Sequence, residues 1–141
     1  MISLPKPKRK KKSAKTKAWD NFSLFTRTRD AIKTTNTLTE CRCVTCGRLY
    51  LVKELQAGHF IDGRHNSILF DERNCHAQCF SCNIKKHGNT IPYWSFMERT
   101  YGREVIDELI YLDRIPKQMK ECDYEELAIL YKNKLNDIIN L

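Results

Sequence analysis

The sequence predicts a mixed α+β fold in which a small cysteine-rich β core lies between helices. Two Cys-x2-Cys pairs, at 43–46 and 79–82, enclose a segment with the Leu and Val content of short strands. Helical apolar periodicity occupies the chain on both sides of that segment. A chain of 141 residues has room for one compact domain with a modest hydrophobic core.

The N-terminal part of the chain is strongly basic. The formal net charge is +8, and residues 1–40 carry 11 lysines and arginines against 3 acidic residues. Residues 1–17 have too few apolar side chains to offset the entropy of ordering, so we expect a disordered arm. A surface with this charge favours a polyanion such as a nucleic acid as its partner, with Lys10, Lys11 and Lys12 as phosphate contacts.

Helices are expected on both sides of the core. In the predicted N-terminal helix, 18–40, Phe22 and Phe25 would share the face that packs on the core. The C-terminal region, 91–141, contains one predicted helix closed by Gly102, a second that ends before Pro116, and a third that begins at Asp123. Glu126 follows Asp123 at capping-box spacing. The apolar residues predicted to form the core face of the third helix are Leu127, Leu130, Tyr131, Leu135 and Ile138.

The middle of the chain, 41–90, is the predicted core. Residues 49–60 read as a strand or hairpin limb, 62–67 as a loop, and the segment SILF at 67–70 as a second short strand.

The chain begins without an apolar signal segment and contains no stretch long enough to span a membrane, so we expect a cytoplasmic protein with no membrane partner. In a reducing compartment, clustered cysteines are metal ligands more often than disulfides.

The two Cys-x2-Cys pairs predict a structural zinc site. Thiolates at this spacing can wrap one tetrahedral ion from a tight turn, and Cys43, Cys46, Cys79 and Cys82 supply four of them. Cys41 could replace Cys43, because it is also within reach of an ion held by Cys46. Cys75 is expected to be a buried thiol and Cys122 a packing residue.

Polar residues with catalytic potential lie between and directly after these pairs: His59 in AGHF, Asn74 in RNCHAQC, and Asn83 after the last cysteine. This arrangement resembles the zinc-stabilised branch of the HNH endonucleases, also called the His-Me finger or ββα-metal class. The segments RTRD, CVTCG, AGHF, FDERN and CN, followed by GN and YG, most resemble the phage NinG recombination proteins, also called Rap. The resemblance covers roughly residues 18–135 and implies a zinc-braced ββα-metal core.

The resemblance implies a role for each polar residue. His59 would be the general base, since a neutral imidazole accepts a proton from water near neutral pH. Asn74 would orient the His59 ring or brace its loop, and the Asn83 side chain would bind Mg²⁺ or Mn²⁺. The family more often has Asp, Glu or His directly before the base, where this chain has Gly58. The candidates for the second metal ligand are His65, Asp62, His76 and His87, with His65 preferred.

The implied substrate is DNA, and the resemblance favours branched DNA such as Holliday junctions or D-loops. Arg64, Arg73, Lys85 and Lys86 would contact phosphates around the cut. Cutting two symmetric strands would suit a homodimer formed through the C-terminal helices. One alternative is a zinc-bound DNA-binding module with a degenerate, inactive site. Another is a zinc scaffold that binds protein partners through its acidic C-terminal helices.

Overall fold

A computed structural model describes residues 1–140 and shows the predicted mixed α+β architecture. Short 3₁₀ turns occur at Val52–Glu54 and Glu72–Asn74, and a π-helical turn at Ser81–Lys85. The regular elements are α1 (Ala14–Thr35), β1 (Glu40–Arg42), β2 (Leu49–Leu51), β3 (Gln56–His59), α2 (Asn66–Leu69), β4 (Cys75–Gln78), α3 (Thr90–Tyr101), α4 (Arg103–Asp113) and α5 (Glu121–Ile139). Within residues 1–140, none of these helices is both long enough and apolar enough to cross a membrane.

Helix α1 begins earlier and ends earlier than the sequence predicts. Its N-cap is Ser13, whose Oγ accepts a hydrogen bond from the Thr16 amide at 3.2 Å, so residues 14–17 of the predicted arm belong to the helix. Asn36 adopts a left-handed conformation with φ 56° and ends the helix. Phe22 and Phe25 are buried, which confirms the predicted core face.

The strands form two separate antiparallel pairs. β1 pairs with β2, and β3 pairs with β4 in a register that sets His59 opposite Cys75. The strand or hairpin limb predicted over 49–60 is strand at its two ends, β2 and β3, and a 3₁₀ turn at Val52–Glu54 divides it. The prediction of a strand at 67–70 was wrong. This segment forms α2, in which the Ile68 and Leu69 amides both donate to the His65 carbonyl and both side chains are buried.

The C-terminal helices follow the predicted order. α3 ends at Gly102, as predicted, and this glycine has φ 85°. α5 begins at Glu121, not Asp123, because the Asp123 carboxylate accepts a hydrogen bond from the Lys120 amide at 2.8 Å within the first turn. Tyr131 is buried as expected, whereas Leu130 is 44% exposed and does not belong to the core face.

Helix α1 fixes the strands that carry the candidate site. The Arg29 guanidinium donates to the carbonyls of Glu72 at 2.9 Å and Cys75 at 2.7 Å. Asp30 accepts a hydrogen bond from the Ala77 amide at 2.7 Å. These buried bonds satisfy backbone groups of β4 and of the turn before it, so the helix and the β3–β4 pair move as one unit.

Candidate functional site

The four cysteines of the two Cys-x2-Cys pairs converge on one point. The sulfurs of Cys43, Cys46, Cys79 and Cys82 all lie within 4.8 Å of one another, and Cys46 Sγ is 3.9 Å from Cys79 Sγ. Tetrahedral zinc with Zn–S bonds of about 2.3 Å requires sulfurs roughly 4 Å apart. The cluster could therefore hold a metal ion such as zinc.

The pKa values of two of these thiols are shifted in opposite directions. Burial alone would raise the pKa of Cys43, but hydrogen bonds from the backbone amides of Cys46 and Cys79 and from Thr45 lower it to about 6. Burial and the adjacent Cys43 sulfur raise the pKa of Cys46 to about 12. A divalent cation bound among the four sulfurs would favour the thiolate form of its ligands.

Cys41 is not part of the cluster. Its side chain is fully buried, and its thiol contacts the Thr34 hydroxyl at 3.6 Å and the Arg42 carbonyl at 3.4 Å. Burial raises the pKa of Cys41 to about 11. The choice that the sequence leaves open between Cys41 and Cys43 is thus decided for Cys43. Cys75 is a buried thiol, as expected.

A second candidate region is an open cleft of about 720 Å³ beside the cysteine cluster. His59 enters it from the end of β3, and Asn83 from the turn that follows the last cysteine. Asp62, Arg64 and His87 also line the cleft. Strand β3 and the turn at Ser81–Lys85 therefore bring two of the predicted site residues, 24 positions apart in the sequence, into one cavity.

The His59 imidazole is held from two directions. Its Nε2 lies 3.1 Å from the Leu69 carbonyl, so Nε2 carries the proton and Nδ1 keeps its lone pair. The indole of Trp19 stacks on the imidazole with ring centroids 5.3 Å apart and planes 26° apart. Burial, with a further contribution from the Arg64 charge, lowers the pKa of His59 below its usual value of 6.5. The imidazole is therefore neutral at pH 7.

Asn74 braces the loop that follows His59. Its side chain is fully buried; Oδ1 accepts from the Ile61 amide at 2.9 Å and Nδ2 donates to the Ile61 carbonyl at 3.0 Å. The Asn74 carbonyl also accepts from the Phe60 amide at 2.8 Å. Of the two roles left open by the sequence, the geometry matches bracing of the loop, because both ends of the amide are bonded to Ile61.

The residue before His59 is glycine for a packing reason. A Cβ at Gly58 would overlap the side-chain amide of Gln78, which is fully buried across the strand pair. Gln78 Nε2 donates to the Gly88 carbonyl at 2.7 Å and to Thr45 Oγ1 at 3.1 Å. A carboxylate or imidazole ligand at position 58 would therefore require the β3–β4 pair to repack.

Comparisons with known proteins identify the family. A family model described as "Bacteriophage Lambda NinG protein" matches residues 5–140. The chain belongs to the NinG family. It is 34% identical over 100 residues to protein ninG of Escherichia phage 933W and 33% identical over 100 residues to protein ninG of Escherichia phage lambda. Each alignment covers 70% of this chain and 48% of the relative, so the chain spans about half the length of these curated NinG relatives. No solved structure matches the chain.

The predicted second metal ligand of this NinG family member lies outside the cleft. His65 Nδ1 is 2.7 Å from the Asp113 carboxylate at the end of α4, and His65 does not line the cavity. His76 is buried between the hydroxyls of Tyr93 at 3.1 Å and Tyr101 at 2.8 Å. The preference for His65 is therefore corrected: among the four candidates, only Asp62 and His87 share the cleft with Asn83.

The Asn83 side chain lines the cleft and is anchored through its nitrogen. Nδ2 donates to Gln56 Oε1 at 2.7 Å, which assigns the amide orientation and leaves Oδ1 as the acceptor for a cation. In residues 1–140, the four cysteines form the only cluster of three or more His, Cys, Asp or Glu ligands. Any cation in the cleft would therefore be held by few protein ligands and several waters, a coordination that Mg²⁺ accepts.

The predicted phosphate contacts of this NinG chain fall into two groups. Arg64 lines the cleft, and Lys85, Lys86, Lys10 and Lys11 are exposed. Two other residues are engaged elsewhere. Arg73 bonds Asp71 and Glu108, each at 2.8 Å, and Lys12 bonds Asp20 at 2.8 Å. Arg73 is therefore engaged with carboxylates at the turn before β4, and its contact with DNA stays a prediction.

Proposed function

We propose that this NinG family member is a metal-dependent DNA endonuclease that cuts branched DNA during phage recombination in the host cytoplasm. The observation that carries the proposal is the state of His59. Its imidazole is neutral, its Nε2–H is bonded to the Leu69 carbonyl so that Nδ1 keeps its lone pair, and His59 lines a cleft that Asn83 also lines. Those are the properties required of a general base for hydrolysis of a phosphodiester.

The proton transfer follows from this geometry. Nδ1 of His59 takes a proton from a water in the cleft, and the resulting hydroxide attacks phosphorus. The Leu69 carbonyl stabilises the imidazolium through Nε2–H. Asn74 keeps the loop at Ile61 fixed while His59 changes charge. As the new bond forms, the bond from phosphorus to the 3′ oxygen breaks and that oxygen takes a proton from water, so the products would carry a 5′-phosphate and a 3′-hydroxyl.

Asn83 Oδ1 would hold Mg²⁺ or Mn²⁺, with Asp62 and His87 as further candidate ligands that line the same cleft. When bound, the cation supplies Lewis-acid stabilisation of the phosphate and of the leaving 3′ oxygen. The cysteine cluster would hold zinc and fix the turn on which Asn83 lies, because Cys82 directly precedes Asn83.

Basic residues support a DNA substrate. Arg64 in the cleft and Lys85 and Lys86 beside it are placed to contact phosphates near the cut, and Lys10 and Lys11 would add salt-sensitive affinity. The preference for branched DNA rests on the family resemblance. Paired cutting of a junction suits a homodimer, for which the exposed apolar side chains of α5, Ile129 at 62% and Leu130 at 44%, are the candidate contact.

The second candidate function is a zinc-bound DNA-binding module with an inactive site. Gly58 favours it, because the packing of Gln78 leaves no room for the ligand that the family more often has there. This alternative predicts binding of junction DNA without cleavage under any metal.

The deciding experiment compares wild type with His59→Ala on a synthetic four-way junction and a matched linear duplex, with Mg²⁺, with Mn²⁺ and with EDTA. We expect metal-dependent cleavage of the junction by wild type and a rate lower by roughly 10²–10⁴-fold in the variant. Junction binding should be kept. Absence of cleavage by wild type with either metal, with binding intact, would establish the binding module instead.

Two matched pairs refine the assignment. His87→Ala should raise the Mg²⁺ concentration required for half-maximal cleavage. His65→Ala should leave that concentration unchanged, because the His65 imidazole bonds Asp113 outside the cleft. For the homodimer, the mass of the native protein is measured by sedimentation with and without Ile129→Glu. A monomeric wild type that cleaves junctions fully would exclude the dimer.

A further inference from the structure

We propose that Trp19, in the N-terminal helix α1, is a positioning residue of the nuclease site that holds the His59 imidazole and the Arg64 guanidinium. The inference rests on the proposed function. Trp19 lies outside the cysteine-braced segment, so α1 becomes a functional element. The sequence motifs around His59 do not indicate this role.

The contacts of the Trp19 indole with both functional side chains are direct. The His59 ring lies 5.3 Å from the indole at an interplanar angle of 26°, a stacked arrangement. The Arg64 guanidinium carbon lies 4.5 Å from the indole centroid, within cation–π range. One aromatic ring therefore contacts both the proposed base and the proposed phosphate ligand.

Trp19 is itself held rigidly. Its ring packs against Phe22 at 5.7 Å and against Phe70 at 6.3 Å, and Phe70 directly follows α2. Ten residues further along α1, Arg29 bonds the carbonyls of Glu72 and Cys75. The helix thus cannot shift relative to the strand pair without breaking buried hydrogen bonds, and the Phe22 and Phe70 rings pack against the indole that it carries.

The Trp19 ring restricts the side-chain motion of both His59 and Arg64. His59 has one other anchor, the single hydrogen bond from Nε2 to the Leu69 carbonyl. Rotation of the ring about its bond to Cβ would break that hydrogen bond, and the indole face opposes the same rotation sterically. Arg64 follows Gly63 in the loop and has a left-handed backbone with φ 54°. Its long side chain is not held by the loop itself, and the contact with the indole restricts it.

The kinetic test compares Trp19→Phe, Trp19→Leu and a control, Phe25→Leu. Phe25→Leu removes a buried aromatic ring from the same helix, and the ring contact of Phe25 is with Tyr131 and not with His59. At saturating junction DNA, we expect the single-turnover rate of Trp19→Leu to fall by roughly tenfold or more, since small displacements of a base are costly. Trp19→Phe should stay within about threefold of wild type because it keeps an aromatic face.

The control separates positioning from stability. Phe25→Leu should lower the melting temperature while keeping the wild-type single-turnover rate. Trp19→Leu should also raise the DNA concentration at half-maximal rate, because Arg64 loses its support, whereas Phe25→Leu should not. Equal rate losses in the two leucine variants would overturn the proposal, since the effect would then be general to the core of α1.

A second measurement needs no cleavage activity. Stacking on an indole shifts the ring protons of His59 upfield by ring current, and ¹⁵N–¹H correlation spectra report which ring nitrogen carries the proton. We expect an upfield His59 signal with protonated Nε2 in wild type, identified by its loss in His59→Gln. In Trp19→Leu the shift should vanish and the tautomers should mix.

The outcomes distinguish a failure of the nuclease function from a failure of the Trp19 positioning role. If wild type cleaves no substrate but shows the upfield, Nε2-protonated His59, the stack exists and the nuclease function fails. If wild type cleaves and Trp19→Leu keeps both its rate and its His59 signal, the nuclease function stands and the positioning role of Trp19 is wrong. Zinc content measured on each variant verifies that the cysteine cluster is intact.

Discussion

The cysteine cluster and the His59 cleft lie side by side and are built in different ways. Three of the four cluster cysteines are buried, and all four come from two tight turns. The cleft is open, and its residues come from β3, from the loop after it, from the turn after the last cysteine and from α3 and α4, with His59 stacked on Trp19 of α1. The cluster is complete within itself, whereas the cleft depends on the whole fold.

This difference has a physical origin. A Cys-x2-Cys turn presents two thiolates without help from the rest of the chain, so two such turns need only one docking event to form a tetrahedral site. A hydrolytic site needs a base, a cation ligand and phosphate contacts that approach one point from different directions, and each must be fixed by packing. The cluster should therefore control stability, and the cleft should control activity.

The largest expected effect comes from breaking the cluster. Cys79→Ser removes one ligand, and because structural zinc is worth on the order of 10 kcal/mol in small domains, we expect loss of zinc and of cooperative folding. Zinc content and thermal unfolding measure both. Cys122→Ser, at an exposed thiol outside the cluster, is the control and should retain one zinc per chain. A folded, zinc-free Cys79→Ser protein would contradict the structural role.

The second prediction concerns the brace of the cleft. Asn74→Ala leaves the amide and the carbonyl of Ile61 without their buried partner, so we expect a loss of about 1–3 kcal/mol in the free energy of unfolding and a slower cleavage rate with zinc retained. Urea unfolding and junction cleavage measure the two effects. Asn21→Ala is matched: it also removes an amide bonded to a backbone carbonyl, that of Ala128, away from the cleft. It should destabilise the protein without slowing cleavage.

The third prediction concerns His76 in β4, the strand that pairs with β3 of the cleft and directly precedes Cys79 of the cluster. Burial lowers the pKa of His76 to about 3, below its usual value of 6.5. The folded state therefore binds the proton less readily than the unfolded state. The stabilisation is present above pH 6.5 and should fall by about 1.4 kcal/mol per pH unit as the pH decreases from 6.5 toward 3.

Urea unfolding at several pH values measures this slope. In His76→Phe we expect a shallower dependence on pH between 6 and 4, because one buried titrating group is gone. His87→Gln replaces an exposed imidazole at the cleft and should leave the slope as in wild type. An unchanged slope in His76→Phe would place the acid sensitivity elsewhere, with the cysteine cluster as the next candidate.

The smallest expected effect is electrostatic and lies within the cleft. The Arg64 charge helps to lower the pKa of His59, after the larger effect of burial. Arg64→Gln should therefore raise the pKa of His59 and move the acid limb of the cleavage rate to higher pH. An NMR titration of the free protein measures the pKa directly. Arg99→Gln, at an exposed position on α3, is the control; equal pKa values in Arg64→Gln and wild type would refute the coupling.

Local patterns carried the predictions that succeeded. The Cys-x2-Cys spacing gave four cysteines that do converge, and the apolar face of α1 and the glycine end of α3 were read correctly. The failures share a cause. SILF looks like a strand by composition, yet within residues 1–140 it pairs with no strand, and the amides of Ile68 and Leu69 instead bond the His65 carbonyl as a helical turn. His65 could reach the cleft by loop length, but Asp113, 48 residues away in sequence, holds it elsewhere.

The sequence by itself determined the charge asymmetry, the two Cys-x2-Cys pairs and the membership of the NinG family, because each depends on residue type and short spacing. Only the tertiary structure decided for Cys43 over Cys41, excluded a side chain at Gly58 and set Trp19 against His59. Those outcomes depend on which buried groups compete for the same space and the same hydrogen bonds. That competition arises between segments far apart in the chain, where spacing along the sequence carries no information.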